Sequence, residues 1–204
     1  MRIERVGMAA AAVAAMLLAA GCQVSTNKNG DSKDVKIQTP FGGLHVTTNQ
    51  AAVLEQIGLA AYPGAAPATK ENDDGAADVN LSFGDYRLRV KAASYRTNDA
   101  PDKVEAFYRD QLKRYGDVIE CRNFAPVGTP VKTFEGLTCA NENEGHISFD
   151  DQAGKNGFEL KTGSRQHQRV VTIAPEGSGT KFGLVVLDLP KGVNGNVEGD
   201  DGGK

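Results

Sequence analysis

The side chains that most often carry out chemistry in proteins are scarce in this 204-residue chain, which has three cysteines and three histidines. His45, His146 and His167 lie far apart in the sequence, none of them beside a nucleophile-elbow pattern. No two have the close spacing of metal ligands, and no glycine-rich loop precedes a helix as a phosphate-binding loop would. We therefore predict no catalytic residue, no metal and no cofactor. An active site assembled from dispersed residues stays open as the alternative.

Composition excludes two further classes of protein. Lys plus Arg number 23 against 26 Asp plus Glu, and a net charge of −3 argues against sequence-independent binding of nucleic acid. A mean hydropathy of −0.38 excludes a protein with many membrane spans. The length suits one ordinary domain with additional terminal segments.

The N-terminus has the layout of a signal peptide. Residues 6–20 are almost wholly apolar and follow Arg2 and Arg5, but they are shorter than the roughly 20 residues needed to span a bilayer. The segment from Leu17 to Cys22 (LLAAGC) resembles the lipobox of bacterial lipoproteins, although Ala19 stands where that family prefers leucine.

The resemblance implies cleavage between Gly21 and Cys22, with acyl chains such as palmitate attached to Cys22. Two or three acyl chains hold a protein on a membrane more firmly than one. Gln23 follows, where an aspartate would favour an inner membrane, so we expect a lipid-anchored protein of the cell membrane, in the outer membrane where the source has one. The domain would then lie in the periplasm or at the cell surface. The alternative is a plain secretory peptide, with Cys22 an ordinary thiol.

Lipidation would also resolve the odd number of cysteines. If Cys22 carries lipid, Cys121 and Cys139 remain as a pair in an oxidising compartment, and we predict that they form a disulfide. Two buried, reduced cysteines are the alternative. Loss of residues 1–21, which removes Arg2, Arg5 and Glu4, changes the net charge from −3 to −4.

The remaining chain divides by composition. We predict a lipidated flexible tether over 22–34, a single domain over 35–190 and a disordered glycine-rich tail over 191–204. The fold class that we predict is α+β, with a mostly antiparallel sheet built from hairpins.

The pattern of apolar residues predicts the elements of that domain. Hairpins are expected at about 35–48 and 79–92, and a short helix at about 49–59 begins at Asn49. One long amphipathic helix is expected at about 100–115 with Asp99 as its N-cap. Further strands are predicted at 117–123, 131–134, 137–140, 146–149, 157–162, 169–174 and 181–189, the last of them central.

The second hairpin carries a basic stripe. Arg87, Arg89 and Lys91 alternate with Leu88 and Val90, so we predict that the apolar side chains are packed and the basic ones face solvent. This stripe is a possible interaction face for an anionic partner. The simpler interpretation is a set of charges that keeps an exposed strand soluble and unpaired.

One further resemblance covers roughly residues 60–190. A Tyr62-Pro63-Gly64-Ala65 turn is followed by YRTNDAPDKV at 95–104, Phe107-Tyr108 and a helix ending near Gly116. This arrangement is similar to one that recurs in uncharacterised exported bacterial proteins. It implies a small α+β domain in the cell envelope and carries no established reaction or site.

From these observations we expect a membrane-anchored lipoprotein of the cell envelope, acting as a non-catalytic binding or structural module. Its partners would be the membrane, reached through the acyl chains, and another envelope protein or a small ligand, but no nucleic acid. The alternative is an envelope hydrolase or isomerase. A deep pocket holding His146 or His167 beside a carboxylate would favour the enzyme, and an exposed sheet face or edge would favour the binding module.

Overall fold

The structure is a computed structural model that describes residues 22–29, 32–68, 75–139 and 157–190. The elements in these ranges are β1 (Gln23–Asn29), β2 (Ser32–Thr39), β3 (Gly42–Thr47), α1 (Gln50–Ile57), β4 (Ala66–Pro67), β5 (Ala76–Phe83), β6 (Tyr86–Thr97), α2 (Pro101–Lys113), β7 (Ile119–Arg122), β8 (Ala125–Val127), β9 (Phe158–Gly163), β10 (His167–Glu176) and β11 (Gly179–Asp188). The predicted signal peptide, Gly21, His146 and the tail over 191–204 lie outside the described residues.

These strands form one continuous antiparallel sheet in the order β1-β2-β3-β5-β6-β11-β10-β9-β7-β8, with the short β4 also pairing with β6. About 55% of the structure is strand and 15% is helix, so the predicted α+β class with a long amphipathic helix is wrong. The fold is a mostly antiparallel β fold with two short helices. The prediction failed because segments interpreted as loops add strands to the sheet.

The N-terminal segment shows this most clearly. Residues 23–29 and 32–34, predicted to be part of a flexible tether, instead supply β1 and the start of β2, which pair from Gln23 with Gln38 to Asn29 with Ser32. Their polar side chains hide the strand pattern, because both faces of this edge hairpin are accessible to solvent. The sheet therefore begins immediately after Cys22, well before the predicted domain boundary at Val35.

Local turn chemistry predicted the hairpins well. β2 and β3, β5 and β6, and β10 and β11 are each joined by a short turn, and β11 lies between β6 and β10 as expected for a central strand. Within 131–139 no strand forms, so the strand predicted at 131–134 and the described part of that predicted at 137–140 are not present; the strand predicted at 146–149 lies outside the described residues. Residues 131–139 contain only isolated bridges, one joining Lys132 to Thr138 and one joining Gly136 to Ser164.

The two helices are shorter than predicted. In α1 the Asn49 side chain accepts a hydrogen bond from the Ala52 amide, as its position as N-cap requires. In α2 the N-cap is Ala100, and its side chain makes no capping bond. Asp99, predicted to cap α2, instead accepts hydrogen bonds from Tyr62 and Lys103. The helix spans 13 residues.

Both helices pack on one face of the sheet, over part of β5, β6, β11, β10 and β9. Fully buried side chains from α1 and α2 meet an aromatic group in which Phe182 contacts the rings of Tyr62, Tyr95 and Tyr108. Burial raises the pKa of Tyr108 above that of an exposed tyrosine. The helices are too short to cover the rest of this face, which leaves the opposite half of it open.

Candidate functional site

The open half of the helix-bearing face carries a row of polar side chains. Strand register places one residue from each of seven neighbouring strands directly opposite the next. In order across the sheet they are Ser25, Lys36, His45, Asn80, Arg89, Asp188 and His167. Neighbouring side chains in such a row are about 5 Å apart at Cβ, so the row forms one continuous polar surface.

Asn80 orients the centre of the row. Its Oδ1 accepts a hydrogen bond of 2.7 Å from Nε of Arg89, and its Nδ2 donates one of 2.7 Å to Asp78. The two bonds hold the Arg89 guanidinium at the sheet surface through one nitrogen. Its terminal N–H groups remain able to donate to another acceptor.

Two histidines in the row are each paired with an aspartate. Nε2 of His45 lies 2.7 Å from Oδ2 of Asp34, and Nδ1 of His167 lies 2.9 Å from Oδ1 of Asp188. The His167 side chain is 71% exposed, and that of His45 is 43% exposed. Both pairs are therefore surface pairs in contact with solvent.

The row lies along an open cleft of about 1120 Å³. Strands β2, β3, β5 and β6 form one side, and the start of β10 with the residues around the end of β11 forms the other. Lys36 and Arg87 line the cleft, and neither has a hydrogen-bond or ion-pair partner within the described ranges. Asp85 and Asp188 are the carboxylates in the lining, and Asp188 is already bonded to His167.

The chemistry of this cleft suits the binding of an anion. Arg87, Arg89 and Lys36 present charged donors, and the hydrogen bonds of such donors to phosphate or carboxylate are stronger than those between neutral groups. Two arginines two residues apart on one strand lie about 7 Å from each other along the chain. An extended ligand could contact both.

Lys91, the third residue of the predicted basic stripe, does not belong to this surface. It is 8% exposed, donates a hydrogen bond of 2.5 Å to Gln56 of α1 and lies 3.9 Å from Asp78. Arg87 and Arg89 are exposed as predicted, but the prediction that Lys91 faces solvent is wrong because α1 covers the basic side of β6 at this position. Leu88 and Val90, predicted to be packed, lie on the opposite face and are only half-buried.

The cysteines fall in two places. Cys121 and Cys139 form a disulfide, and their side chains pack with Ile119 and Leu137 in a small buried cluster near the β7–β8 edge. Cys22 is exposed and has a free thiol, directly before β1 at the other edge of the sheet.

Sequence reasoning missed most of this site. It named Arg87, Arg89 and, for an enzyme, His167 beside a carboxylate, but not Lys36, Asn80 or the pair of His45 with Asp34. The alternation of Asp34, Lys36 and Gln38 was a usable signal for one polar strand face, but the pairing of β6 with β11 joins residues about a hundred positions apart and leaves no local pattern.

Neither a protein family nor a solved structure identifies this cleft. No protein-family model matches the chain, and no solved structure matches it significantly. In the part of the chain that the structure describes, no group of three or more His, Cys, Asp or Glu side chains could hold a metal ion. Within those same ranges, neither helix is long and apolar enough to cross a membrane.

Proposed function

We propose that this protein is a lipoprotein of the bacterial cell envelope, anchored through acyl chains on Cys22, whose sheet domain is a non-catalytic module that binds an anionic envelope component in the polar cleft. The anchor places it on the outer membrane where the source has one. The bound group is a phosphate or carboxylate, carried by an envelope glycan or by a lipid headgroup.

Two observations support the envelope location. The segment ending at Cys22 resembles a lipobox, and Cys22 is exposed at the edge of the sheet, where acyl chains would meet no steric obstacle from the described residues. Cys121 and Cys139 are joined, and stable disulfides occur chiefly in oxidising compartments outside the cytoplasm.

The observation that carries the binding function is the presence of Lys36 and Arg87 in an open cleft, without partners among the described residues, beside an Arg89 that Asn80 holds in place. Surface cations in a protein of net negative charge are ordinarily balanced by nearby carboxylates. Here the nearby Asp34 and Asp188 are each hydrogen-bonded to a histidine. The lining holds Lys36, Arg87 and Arg89 against Asp85 and Asp188, which leaves an excess of one positive charge in the cleft of an acidic protein.

The cleft is open and long, which favours an extended ligand, and its lining joins the charged row to apolar side chains such as Leu81, Leu88 and Tyr86. Much of its affinity would come from charge. Binding should therefore weaken as salt is added, because exposed charges are screened over about 8 Å at physiological ionic strength.

Replacing Cys22 by serine tests the anchor. The Cys22→Ser protein should move from the membrane fraction to the soluble fraction, because it lacks the thiol that receives lipid. A Cys22→Ser protein that still sediments with membranes after a high-salt wash would contradict acylation as the anchor.

Charge reversal tests the cleft, with phosphocellulose as the immobilised anion. Arg87→Glu/Arg89→Glu should elute at lower salt than the unaltered protein. The matched control, Lys113→Glu/Lys132→Glu, makes the same change in net charge at exposed positions outside the cleft and should elute close to the unaltered protein. Equal loss of retention in the two double variants would show that net charge, not the cleft, governs binding.

A hydrolase or isomerase is the second candidate, and one observation favours it. His167 lies beside the carboxylate of Asp188 in the lining of the cleft, an arrangement that can orient an imidazole as a general base. The high exposure of His167 favours the binding function, since catalytic pairs are usually shielded from water. Turnover of an envelope ester or glycan that His167→Ala abolishes would establish the enzyme in place of the binding module.

A further inference from the structure

We propose that one edge of the sheet lies in the interfacial region of the bilayer, so that the domain rests against the membrane at the site of its lipid anchor. This edge is formed by the ends of the strands at the β2–β3 and β5–β6 turns and not by an edge strand. We call it the aromatic edge and define it by Cys22, Val24, Phe41, Phe83 and Tyr86. The inference rests on the proposed function for the anchor at Cys22, and its own basis is the arrangement of the apolar side chains.

Exposed apolar side chains are concentrated at this edge. Phe41 is 74% exposed, Phe83 63%, Tyr86 60% and Val24 64%, and Leu81 next to them is 44% exposed. These five are the majority of the eight large hydrophobic residues exposed in the described ranges. Single exposed apolar residues are normal, but a contiguous group indicates a surface that contacts an apolar phase or partner.

Strand register brings these residues level with Cys22. Phe83 pairs with Tyr86 and with Gly42, and Gly42 pairs with Thr39. Cys22 precedes Gln23, the partner of Gln38, and so lies at the same level as Thr39. Four strand spacings separate β1 from β6, so the row from Cys22 to Tyr86 is about 19 Å long.

The turns at this edge are held together by backbone contacts. The Gly84 amide donates a hydrogen bond of 3.2 Å to the Phe41 carbonyl, which joins the β2–β3 turn to the β5–β6 turn. A Cβ at Gly42 would lie 2.1 Å from the Ser82 carbonyl oxygen, so this close approach requires glycine. The aromatic side chains therefore project from two turns that backbone contacts hold together.

The short connection between the anchor at Cys22 and the first strand determines how close the sheet lies to the bilayer. β1 begins at Gln23, so an acyl-bearing Cys22 leaves no flexible segment between the bilayer and the first strand. Lipid on Cys22 would therefore bring its whole row of the sheet to the headgroup layer. Phenylalanine and tyrosine suit that layer, where amphipathic and aromatic residues are enriched, and a tethered surface needs little affinity of its own.

Of the two charged residues nearest the aromatic edge, Arg87 favours a membrane contact and Asp85 opposes it. Asp85 lies in the β5–β6 turn itself, and Arg87 lies two residues further along β6, on the polar face. Arg87 can reach lipid phosphates while the aromatic side chains enter the boundary between headgroups and acyl chains. The polar cleft then opens next to the membrane surface.

The chain has no tryptophan, so a single introduced tryptophan reports on its own position. We would use the mature form, residues 22–204, with Phe83→Trp. The thiol of Cys22 is the one cysteine outside the disulfide, and it can be coupled to a maleimide-headgroup lipid in neutral phosphatidylcholine vesicles containing brominated phosphatidylcholine. The matched control is Phe134→Trp, at a 95% exposed position after β8, on the far side of the sheet.

We expect brominated lipid to quench the tryptophan of Phe83→Trp at least roughly twofold more than that of Phe134→Trp, since an interfacial side chain enters about 5–10 Å into the headgroup and acyl boundary. The emission of Phe83→Trp should also shift to shorter wavelength on coupling. Phe41→Trp provides the same readout from the neighbouring turn if Phe83→Trp does not fold.

Equal, weak quenching at the two positions would overturn the proposal. So would a dimer of the uncoupled protein that shields the introduced tryptophan, because the aromatic edge would then contact a second copy. Shielding in native membranes but not in vesicles would assign the edge to a partner protein and would also overturn it. Because the lipid is attached chemically, the outcomes in vesicles do not depend on whether Cys22 is acylated in the cell.

Discussion

One face of the sheet is divided into two halves that the same strands cross. In one half, side chains such as Ala93 and Tyr95 of β6 lie beneath the helices and are nearly inaccessible to water. In the other half, Arg87 and Arg89 of the same strand lie in an open cleft. The alternation along β6 is continuous, so the difference comes from what covers the strand and not from the strand itself.

Lys91 lies at the border between the two halves. It follows the basic residues in the alternation, but Gln56 of α1 covers it and Asp78 of β5 lies opposite. The covered half is thus built for stability, and the open half retains side chains that contribute little to folding. We expect substitutions in the two halves to separate stability from binding.

The largest effect should come from the covered half. Phe182→Ala removes a fully packed ring from the aromatic group and should lower the free energy of unfolding by about 3–5 kcal/mol. Arg87→Ala in the open half should change it by less than about 0.5 kcal/mol. Urea unfolding followed by circular dichroism measures both, and comparable losses would remove the distinction between the halves.

The disulfide stabilises the β7–β8 edge of the sheet, where Cys121 lies on the face opposite the helices. Cys121 and Cys139 are 18 residues apart in the sequence, and the chain-entropy model assigns about 3 kcal/mol to a loop of this size. Cys121→Ser/Cys139→Ser should lose that amount in urea unfolding, whereas Cys22→Ser, before the edge strand β1, should lose none. A double variant as stable as the unaltered protein would show that packing alone holds this edge.

Substitutions in the ion pair of Lys91 with Asp78, at the border between the two halves, should have an intermediate effect on the free energy of unfolding. Asp78→Ala leaves the buried Lys91 without its carboxylate and should cost about 2 kcal/mol, within the range for a charged group that loses a buried partner. Replacing both residues, as Asp78→Val/Lys91→Met, should recover most of that stability because no charge is then buried. A double variant that is less stable than Asp78→Ala would indicate that the pair itself stabilises the sheet.

The smallest effect is expected at Asp99, at the start of α2. The hydrogen bond from Lys103, and then that from Tyr62, lowers the pKa of this carboxyl below its usual value of 3.8. A lowered folded-state pKa contributes stability above about pH 3.8, and this contribution is lost as the pH falls through that value toward the folded-state pKa. Asp99→Asn should therefore be less stable than the unaltered protein near neutral pH, and the gap should close in acid unfolding measurements.

Sequence predicted those parts of the fold that local chemistry determines. The turn at Pro40, the Asn49 cap of α1 and the hairpin of β10 and β11 all follow from neighbouring residues. The disulfide follows from the number of cysteines, because two remain once Cys22 is assigned to the lipid anchor. All of these need only short-range or compositional information.

The fold class and most of the site needed information that the sequence pattern does not contain. An alternation of apolar and polar residues indicates which residues share a strand face but not which face a helix will cover. The alternation alone therefore predicts that Lys91 faces solvent. The row from Lys36 to His167 depends on five strand pairings, including the long-range pairing of β6 with β11.

The central claim is that Cys22 anchors this sheet to a membrane with its open half available for binding. Mass spectrometry of the N-terminal peptide, taken from protein purified from the membranes of its source, tests the claim most directly. We expect a peptide that begins at Cys22 and carries the mass of a diacylglyceryl group, with or without a third acyl chain. A peptide that contains Cys22 with an unmodified thiol would contradict it.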